Sequence, residues 1–331
     1  MIHRWVHLLF AVATILLAAG GTLWLWSAGP AWGKEIDVRA PFLPAYEAGL
    51  LPLWGWVLIL LGFTFLLGVV SVMGGMGGGT LYVSLIGGFF PFHLDFIRGA
   101  SLLLALCGSL SATPGLLRYC LADLRLALPV GLVASIGSII GALIGLALPP
   151  QIIQISLGFT IMGIVVIMLK AKKSEHPEVE KPDPISKLLG IQSSYCDLAI
   201  DKRIFWEVHR TPWALGLFFL VGIIAGTFGI GGGWANVAVF NLVMGAPLKV
   251  AVATSKFLIS MTDGAAAWIY LHSGALLPII VVPSIIGMVL GSWLGVGILA
   301  RSRPANVRFA VIGLLIFAGI RCLLKGLGIW G

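Results

Sequence analysis

The run Met73-Gly74-Gly75-Met76-Gly77-Gly78-Gly79 interrupts one long apolar stretch of this chain, and Phe228-Gly229-Ile230-Gly231-Gly232-Gly233 interrupts another. A single spacing of 154 residues carries Gly77, Gly78 and Gly79 onto Gly231, Gly232 and Gly233. A glycine triplet does not sustain a helix, and in hydrocarbon a backbone N–H or C=O without a partner is costly. Broken backbone is tolerated at membrane depth only where protein or a cavity covers it. Two matched, glycine-interrupted apolar segments in two halves of one chain therefore point to a solute-binding site between internal repeats.

Composition places these breaks in a membrane. Of 331 residues, 59% are hydrophobic and only 10% are charged, with a mean hydropathy of +1.05. Several apolar runs exceed the roughly 20 residues that cross a bilayer, which excludes a soluble domain. The 44 glycines suit close helix packing in lipid. The net charge of +8 resides in loops and one hydrophilic segment, the pattern of membrane topology rather than of nucleic-acid binding. Cys107, Cys120, Cys196 and Cys322 are scattered without a CxxC pair and read as free thiols. No nucleotide, flavin or zinc motif and no nucleophile–base or metal-ligand constellation is present. The sequence thus predicts no cofactor, no metal and no enzymatic activity.

Four segments follow. Residues 1–52 read as a retained N-terminal transmembrane helix (5–26) and a periplasmic loop, and residues 53–170 as a first transmembrane repeat. Residues 171–211 read as a charged cytoplasmic linker, a solvated tether, and residues 212–331 as a second repeat. Each repeat begins with an interrupted segment, 53–90 or 213–244, whose return piece of about 11 residues is half a span. These segments read as helical hairpins or re-entrant pairs meeting near the midplane. Three spanning helices follow each one, at about 95–117, 124–148 and 150–170, and at about 248–271, 276–299 and 304–324. The spacing also maps Val83 to Val237, Leu94 to Leu248, Ser101 to Ser255 and Leu104 to Leu258. A four-residue deletion then aligns Gly137-xxx-Gly141-xxx-Gly145 with Gly287-xxx-Gly291-xxx-Gly295.

A hairpin plus three crossings gives an odd number of passes, so the second repeat should be inverted. Charge agrees. Loop 118–125 holds Arg118 and Arg125 while its counterpart near His272 has no Lys or Arg, and the loop at Pro149-Pro150 has none while its counterpart holds Arg301, Arg303 and Arg308. Arg321 and Lys325, near an external C-terminus, argue mildly the other way. The predicted fold is an all-α polytopic membrane protein of two inverted-topology repeats, each a broken helical hairpin plus three spanning helices, with one extra N-terminal helix. Trp54, Trp56, Trp206, Trp213 and Trp330 read as an interfacial aromatic belt.

The chemistry concentrates at the breaks. Short helices restart at Thr80 and Trp234, and a helix start offers unpaired N–H donors and partial positive charge, to which anions bind. Gly77, Gly78, Gly79, Gly231, Gly232 and Gly233 would let a small anion approach the backbone. Alternatively they only permit tight helix crossing, the reading that suits the GxxxG runs. The helix after the second break carries Thr254, Ser255 and Lys256, and Asp263 follows seven residues on, along the same face. Ionisable groups at such depth mark a pathway or a pair. Lys256 would attract the anion and Asp263 would couple transport to an ion, or the two would form an internal pair. Ser101, Leu102 and Ser109 stand at the equivalent positions of the first half, and Asn236 is placed to hydrogen-bond substrate. Arg98, one turn into its helix, reads as snorkelling to the interface or as drawing anions.

At these residues the chain resembles the TauE/SafE family of sulfite exporters, anion transporters with four-helix repeats. The resemblance rests on Gly77-Gly78-Gly79 and Gly231-Gly232-Gly233, on Ala253-Thr254-Ser255-Lys256-Phe257 and on the GxxxG helices that follow, and covers about residues 53–324. The first half departs from it: Arg98-Gly99-Ala100-Ser101 stands where the family usually shows an Ala-Thr-Ser run, and Met76 interrupts the glycines. The resemblance implies export of a small anion across the bacterial cytoplasmic membrane, either sulfite, a sulfonate such as sulfoacetate or a related organic acid, using H+ or Na+ as the coupling ion. A passive anion channel of the same fold is the alternative, and a homodimer is compatible with it.

Overall fold

The computed structural model describes residues 53–74, 77–89, 94–170, 191–197, 202–276 and 278–301, with isolated positions in 183–186 and 313–324. The leading helix 5–26, the loop 27–52, Gly75, Met76, most of the linker before residue 191, and Arg303 and Arg308 lie outside the described residues. Of the helix expected over 304–324, only scattered helical positions such as 322–324 are described.

Leu-, Ile-, Val- and Ala-rich runs form helices α1 (Leu53–Gly74), α2 (Gly78–Phe89), α3 (Leu94–Arg118), α4 (Leu124–Ala147) and α5 (Pro150–Lys170). After the linker come α6 (Thr211–Phe228), the short α7 (Gly233–Ala238) continued by a π-helical turn (Val239–Val243), α8 (Leu248–His272) and α9 (Pro278–Arg301). Local chemistry sets the boundaries. Asp123 caps α4 by accepting hydrogen bonds from the backbone N–H groups of Arg125 (2.8 Å) and Leu126 (3.1 Å). Pro212 sits in the first turn of α6, where its missing N–H costs nothing, and Gly229 ends that helix at φ +65°. By length and composition α3, α4, α6 and the Ile280–Leu299 part of α9 can each cross a membrane. Their outer faces remain apolar, with Leu132, Leu220 and Trp293 more than half exposed. The chain is a multi-pass membrane protein.

The 154-residue spacing is written into the helices. α3 and α8 begin and end at equivalent positions, as do α4 and α9. Turns repeat as well: Leu121 N–H donates to Leu116 O at 3.1 Å, and Ala275 N–H to Tyr270 O at 3.1 Å. Cys120 and Gly274, again equivalent, both take positive φ. The packing uses the same register. Gly68 of α1 lies where a Cβ would meet Met288 O (2.7 Å) and Ser292 N (2.8 Å) of α9, while Gly222 of α6 meets Ala134 O and Ser138 N of α4. Gly137 likewise presses on Phe219 O, and Gly291 on Phe65 O. Backbone-to-backbone contact of this kind needs glycine on the crossing face. These contacts hold at 154 throughout, with Pro129 of α4 matching Pro283 of α9. The four-residue deletion inferred from the glycine runs is therefore corrected: Gly291 corresponds to Gly137, and Gly287 to Val133. An eye tracking glycines slides one helical turn along a GxxxG ladder, because that ladder repeats every turn.

The helices before the linker pack mainly on those after it. α1 lies along α9 and α6 along α4, while α3 and α8 cross the centre side by side. They run in opposite directions: Arg98 near the start of α3 bonds Tyr270 near the end of α8, and Asp123, just past the end of α3, donates its N–H to Thr254 near the start of α8. The second interrupted segment returns to where it began, since His209 before α6 donates its N–H to Met244 O after the π turn at 3.0 Å.

The linker is more than a tether. Strands β1 (Gln192–Asp197) and β2 (Lys202–Glu207) form an antiparallel hairpin, the one non-helical addition among the described residues. Ile191, Tyr195, Trp206 and Val208 are buried in the same apolar cluster as Leu126, Phe218, Phe240 and Met244. Trp206 is thus a packing residue, not a member of an aromatic belt, whereas Trp54 and Trp213 are exposed. Asp183 receives hydrogen bonds from Thr211 N–H (3.3 Å) and Oγ1 (3.1 Å), tying the linker to the first turn of α6.

Candidate functional site

The two breaks meet. Thr80, in the first turn of α2, donates its hydroxyl to Ile230 O at 2.7 Å, and Ser101 of α3 donates to Gly229 O at 2.6 Å. A Cβ on Gly79 would lie 2.6 Å from Ser101 Oγ and 3.3 Å from Ile230 O. The tip between α6 and α7 is therefore seated on the starts of α2 and α3, and its broken backbone finds partners across 128 and 150 residues of sequence. Gly77 lies against Ile259 of α8 (3.3 Å) and Ala105 of α3 (3.5 Å), and Gly78 against Met288 of α9.

Around the second tip, polar groups converge. Gly231 takes φ +69°, a conformation that suits glycine, and a Cβ there would stand 2.8 Å from Asp263 Oδ2. Asp263 is fully buried. Its Oδ1 accepts from Thr262 Oγ1 at 3.2 Å, and its Oδ2 has no hydrogen-bond partner among the described residues. A carboxyl group of this chain therefore stands beside the second break. On the neighbouring glycine, a Cβ at Gly232 would lie 3.2 Å from both amide atoms of Asn236. Asn236 is buried with neither amide atom hydrogen-bonded among the described residues. Buried amides normally find partners, so this one is equipped to take a ligand or a water.

Lys256 is fully buried and donates from Nζ to Ser71 Oγ of α1 at 3.0 Å, which brings the ammonium to the end of the helix that leads into the first break. Ser255 donates to Gly233 O at 3.3 Å. The structure gathers Gly77, Gly79, Ser101, Gly231, Gly232, Gly233, Asn236, Ser255, Lys256 and Asp263 about the two tips. Thr254 departs from the group: its hydroxyl accepts the Asp123 N–H at 3.1 Å, directed at the cap of α4. Gly78 serves close packing against Met288.

Arg98 does not snorkel. It is fully buried, and Nη1 donates to Asp95 Oδ1 at 2.8 Å and to Gly145 O at 3.3 Å. Nη2 donates to Thr227 O and to the Tyr270 hydroxyl, and the guanidinium lies 5.1 Å from the centre of that ring. One turn into a helix is close enough to the interface for snorkelling, and the Asp95 carboxylate together with the partners from α4, α6 and α8 offsets the cost of burial. Ser71 and Tyr270 also escaped the sequence reading, because their roles depend on residues more than 170 positions away.

The helices and the polar breaks buried among them define a membrane transport protein. The chain belongs to the sulfite exporter TauE/SafE family, which it matches over residues 58–322. It is similar to a probable membrane transporter protein, YunE, of Bacillus subtilis (strain 168), with 28% identity over 283 residues, covering 82% of this chain and 98% of that protein. No solved structure gives a significant match.

Proposed function

We propose that the protein is a secondary transporter that exports a small anion, sulfite or an organosulfonate, across the bacterial cytoplasmic membrane. It works by alternating access of two inverted repeats about a site at the glycine breaks, and performs no enzymatic chemistry. The seating of one break on the other, Thr80 on Ile230 and Ser101 on Gly229, carries this reading. The opposed directions of α3 and α8 support inversion, and the family's name supports the substrate class. Residues 53–170 and 212–331 act as the repeats, and the linker 171–211 faces the cytoplasm.

Asp263 favours coupled transport over a passive channel. A substrate anion at the second tip would share its surroundings with the carboxylate. Two unit charges about 5 Å apart at an effective dielectric of about 20 repel by about 3 kcal/mol. Binding of the anion is therefore linked to neutralisation of Asp263 by H+ or by Na+. Lys256 supplies the attraction, and Asn236 and the glycine N–H groups supply orientation.

The test is uptake of radiolabelled sulfite and sulfoacetate into proteoliposomes. Lys256→Ala should insert normally and lose uptake. Wild-type rates in that variant would remove Lys256 from the site. Flux of the wild type that ignores imposed proton and sodium gradients would favour the channel instead.

A further inference from the structure

We propose that Arg98 is the latch of a gate at one end of the transport path, held shut by Tyr270, and that the equivalent opposite end closes with an apolar seal. The inference rests on the transporter reading above. A single guanidinium ties four helices: α3, which carries it, α4 through Gly145 O, α6 through Thr227 O and α8 through the Tyr270 hydroxyl. Two of these belong to each repeat. Tyr270 extends the chain of bonds by donating to Gly226 O at 3.2 Å. The latch sits against the tip of the second hairpin, where a Cβ on Gly229 would lie 2.7 Å from Arg98 Cβ. Three residues further along α3, Ser101 holds the carbonyl of the same glycine. To separate the tip from α3, these bonds must break together.

The 154-residue spacing identifies the opposite end without ambiguity. Val252 stands for Arg98, Leu116 for Tyr270, Val72 for Gly226 and Leu299 for Gly145. All four are buried in one apolar cluster. The Arg98 hydrogen bonds are thus replaced at the opposite end by apolar contact among these four residues, with Lys249, the counterpart of Asp95, buried one turn before Val252. Hydrogen bonds to a charged group are stronger than neutral ones, and Nη1 already holds the Asp95 carboxylate at 2.8 Å, but an anion entering from the site can replace the carbonyl and phenol acceptors around the rest of the guanidinium, whereas it has nothing to offer Val252 and Leu116. Arg98 Nε, buried and without a partner among the described residues, remains available to such an anion. The latch is the end that a negative solute can itself release. On the charge pattern of the loops, this end faces outward, the exit for export.

The experiment is hydrogen–deuterium exchange of the full-length protein in nanodiscs, comparing wild type, Tyr270→Phe and Arg98→Lys. Tyr270→Phe removes one hydroxyl and keeps the ring, so folding is preserved. Exchange in the segment 226–233 should rise about tenfold in both variants, the size expected from losing a hydrogen bond to a charged group, with segment 250–258 unchanged. Adding sulfite at saturating concentration should raise exchange at 226–233 in the wild type and have a smaller effect in the variants. Unchanged exchange at 226–233, or an equal rise across the chain, overturns the latch. Wild-type sulfite uptake alongside unchanged exchange would sink the latch while leaving the transporter standing. The tenfold rise in a protein that moves no anion would do the reverse.

Discussion

α3 and α8 are one helix used twice. Each has 25 residues, their ends match at the repeat spacing, and they lie side by side in opposite directions. Their charged residues do not match. Lys256 stands where α3 has Leu102, Asp263 where it has Ser109, and Arg98 where α8 has Val252. Repetition therefore sets shape, through glycine contacts and turns that recur at one spacing, and leaves charge free to differ. α3 keeps Arg98 near one end, where the Asp95 carboxylate, two carbonyls and a phenol surround it. α8 keeps Lys256 and Asp263 in its middle, beside the breaks. α8 is interior on its charged face, where Lys256 and Asp263 are fully buried.

The comparison can be broken by making α8 resemble α3. Lys256→Leu should reduce sulfite uptake by about a hundredfold, the effect of losing a charged hydrogen-bonding partner worth about 3 kcal/mol. Radiotracer uptake at matched protein density measures it, and a loss below fivefold would place the anion elsewhere. Asp263→Asn, the nearest step towards Ser109, should tighten sulfite binding at neutral pH by at least about tenfold, since about 3 kcal/mol of repulsion is at stake. It should also reduce the dependence of binding on pH, read by isothermal titration calorimetry with sulfoacetate, whose charge is constant around neutral pH. Binding that weakens instead would show that the carboxylate helps to hold the solute.

The glycines sharpen the comparison at smaller scale. Gly231→Ala forces a left-handed conformation on alanine, at about 1–2 kcal/mol, and presses its methyl on Asp263. Gly77→Ala meets only the yielding side chain of Ile259 at 3.3 Å and Ala105, costing about 1 kcal/mol. Thermal unfolding in detergent should rank the second break as the less tolerant, and equal shifts would contradict the asymmetry.

The smallest effect is expected at the base of the second hairpin, where His209 stands for Gly55 of the first. Burial, and then the charge of Arg210, push its imidazole below the usual range, with Asp183 opposing. The folded state prefers the neutral ring. Its contribution is present above the ordinary imidazole range and is lost as pH falls through it. The melting temperature should fall slightly from pH 7.5 to 5.5, and less so in His209→Gln.

Much of the fold was legible in the residues. Apolar run length marked the helices, Pro and Gly marked their ends, and the repeated triplets marked the place where helices give way. The register of α4 against α9 was misread because a glycine ladder matches itself at every turn, and only contacts such as Gly137 on Phe219 resolve it. The linker hairpin was missed because Tyr195 and Trp206 sit among charges. Their partners, Phe218 and Met244, lie outside that segment. Of the site, Lys256, Asp263 and Asn236 were legible as polar residues in apolar surroundings, while Arg98 was assigned to the interface for want of visible partners.

What the sequence by itself determined was where helices form, where they break and that the pattern occurs twice, since these depend on solvation and backbone freedom within a few turns. What only the tertiary structure decided was which polar group meets which. Thr80 on Ile230, Lys256 on Ser71 and Arg98 on Tyr270 each join residues at least 150 positions apart. The energy of a buried polar group depends on the partner that helix packing delivers, and local sequence does not encode that distance.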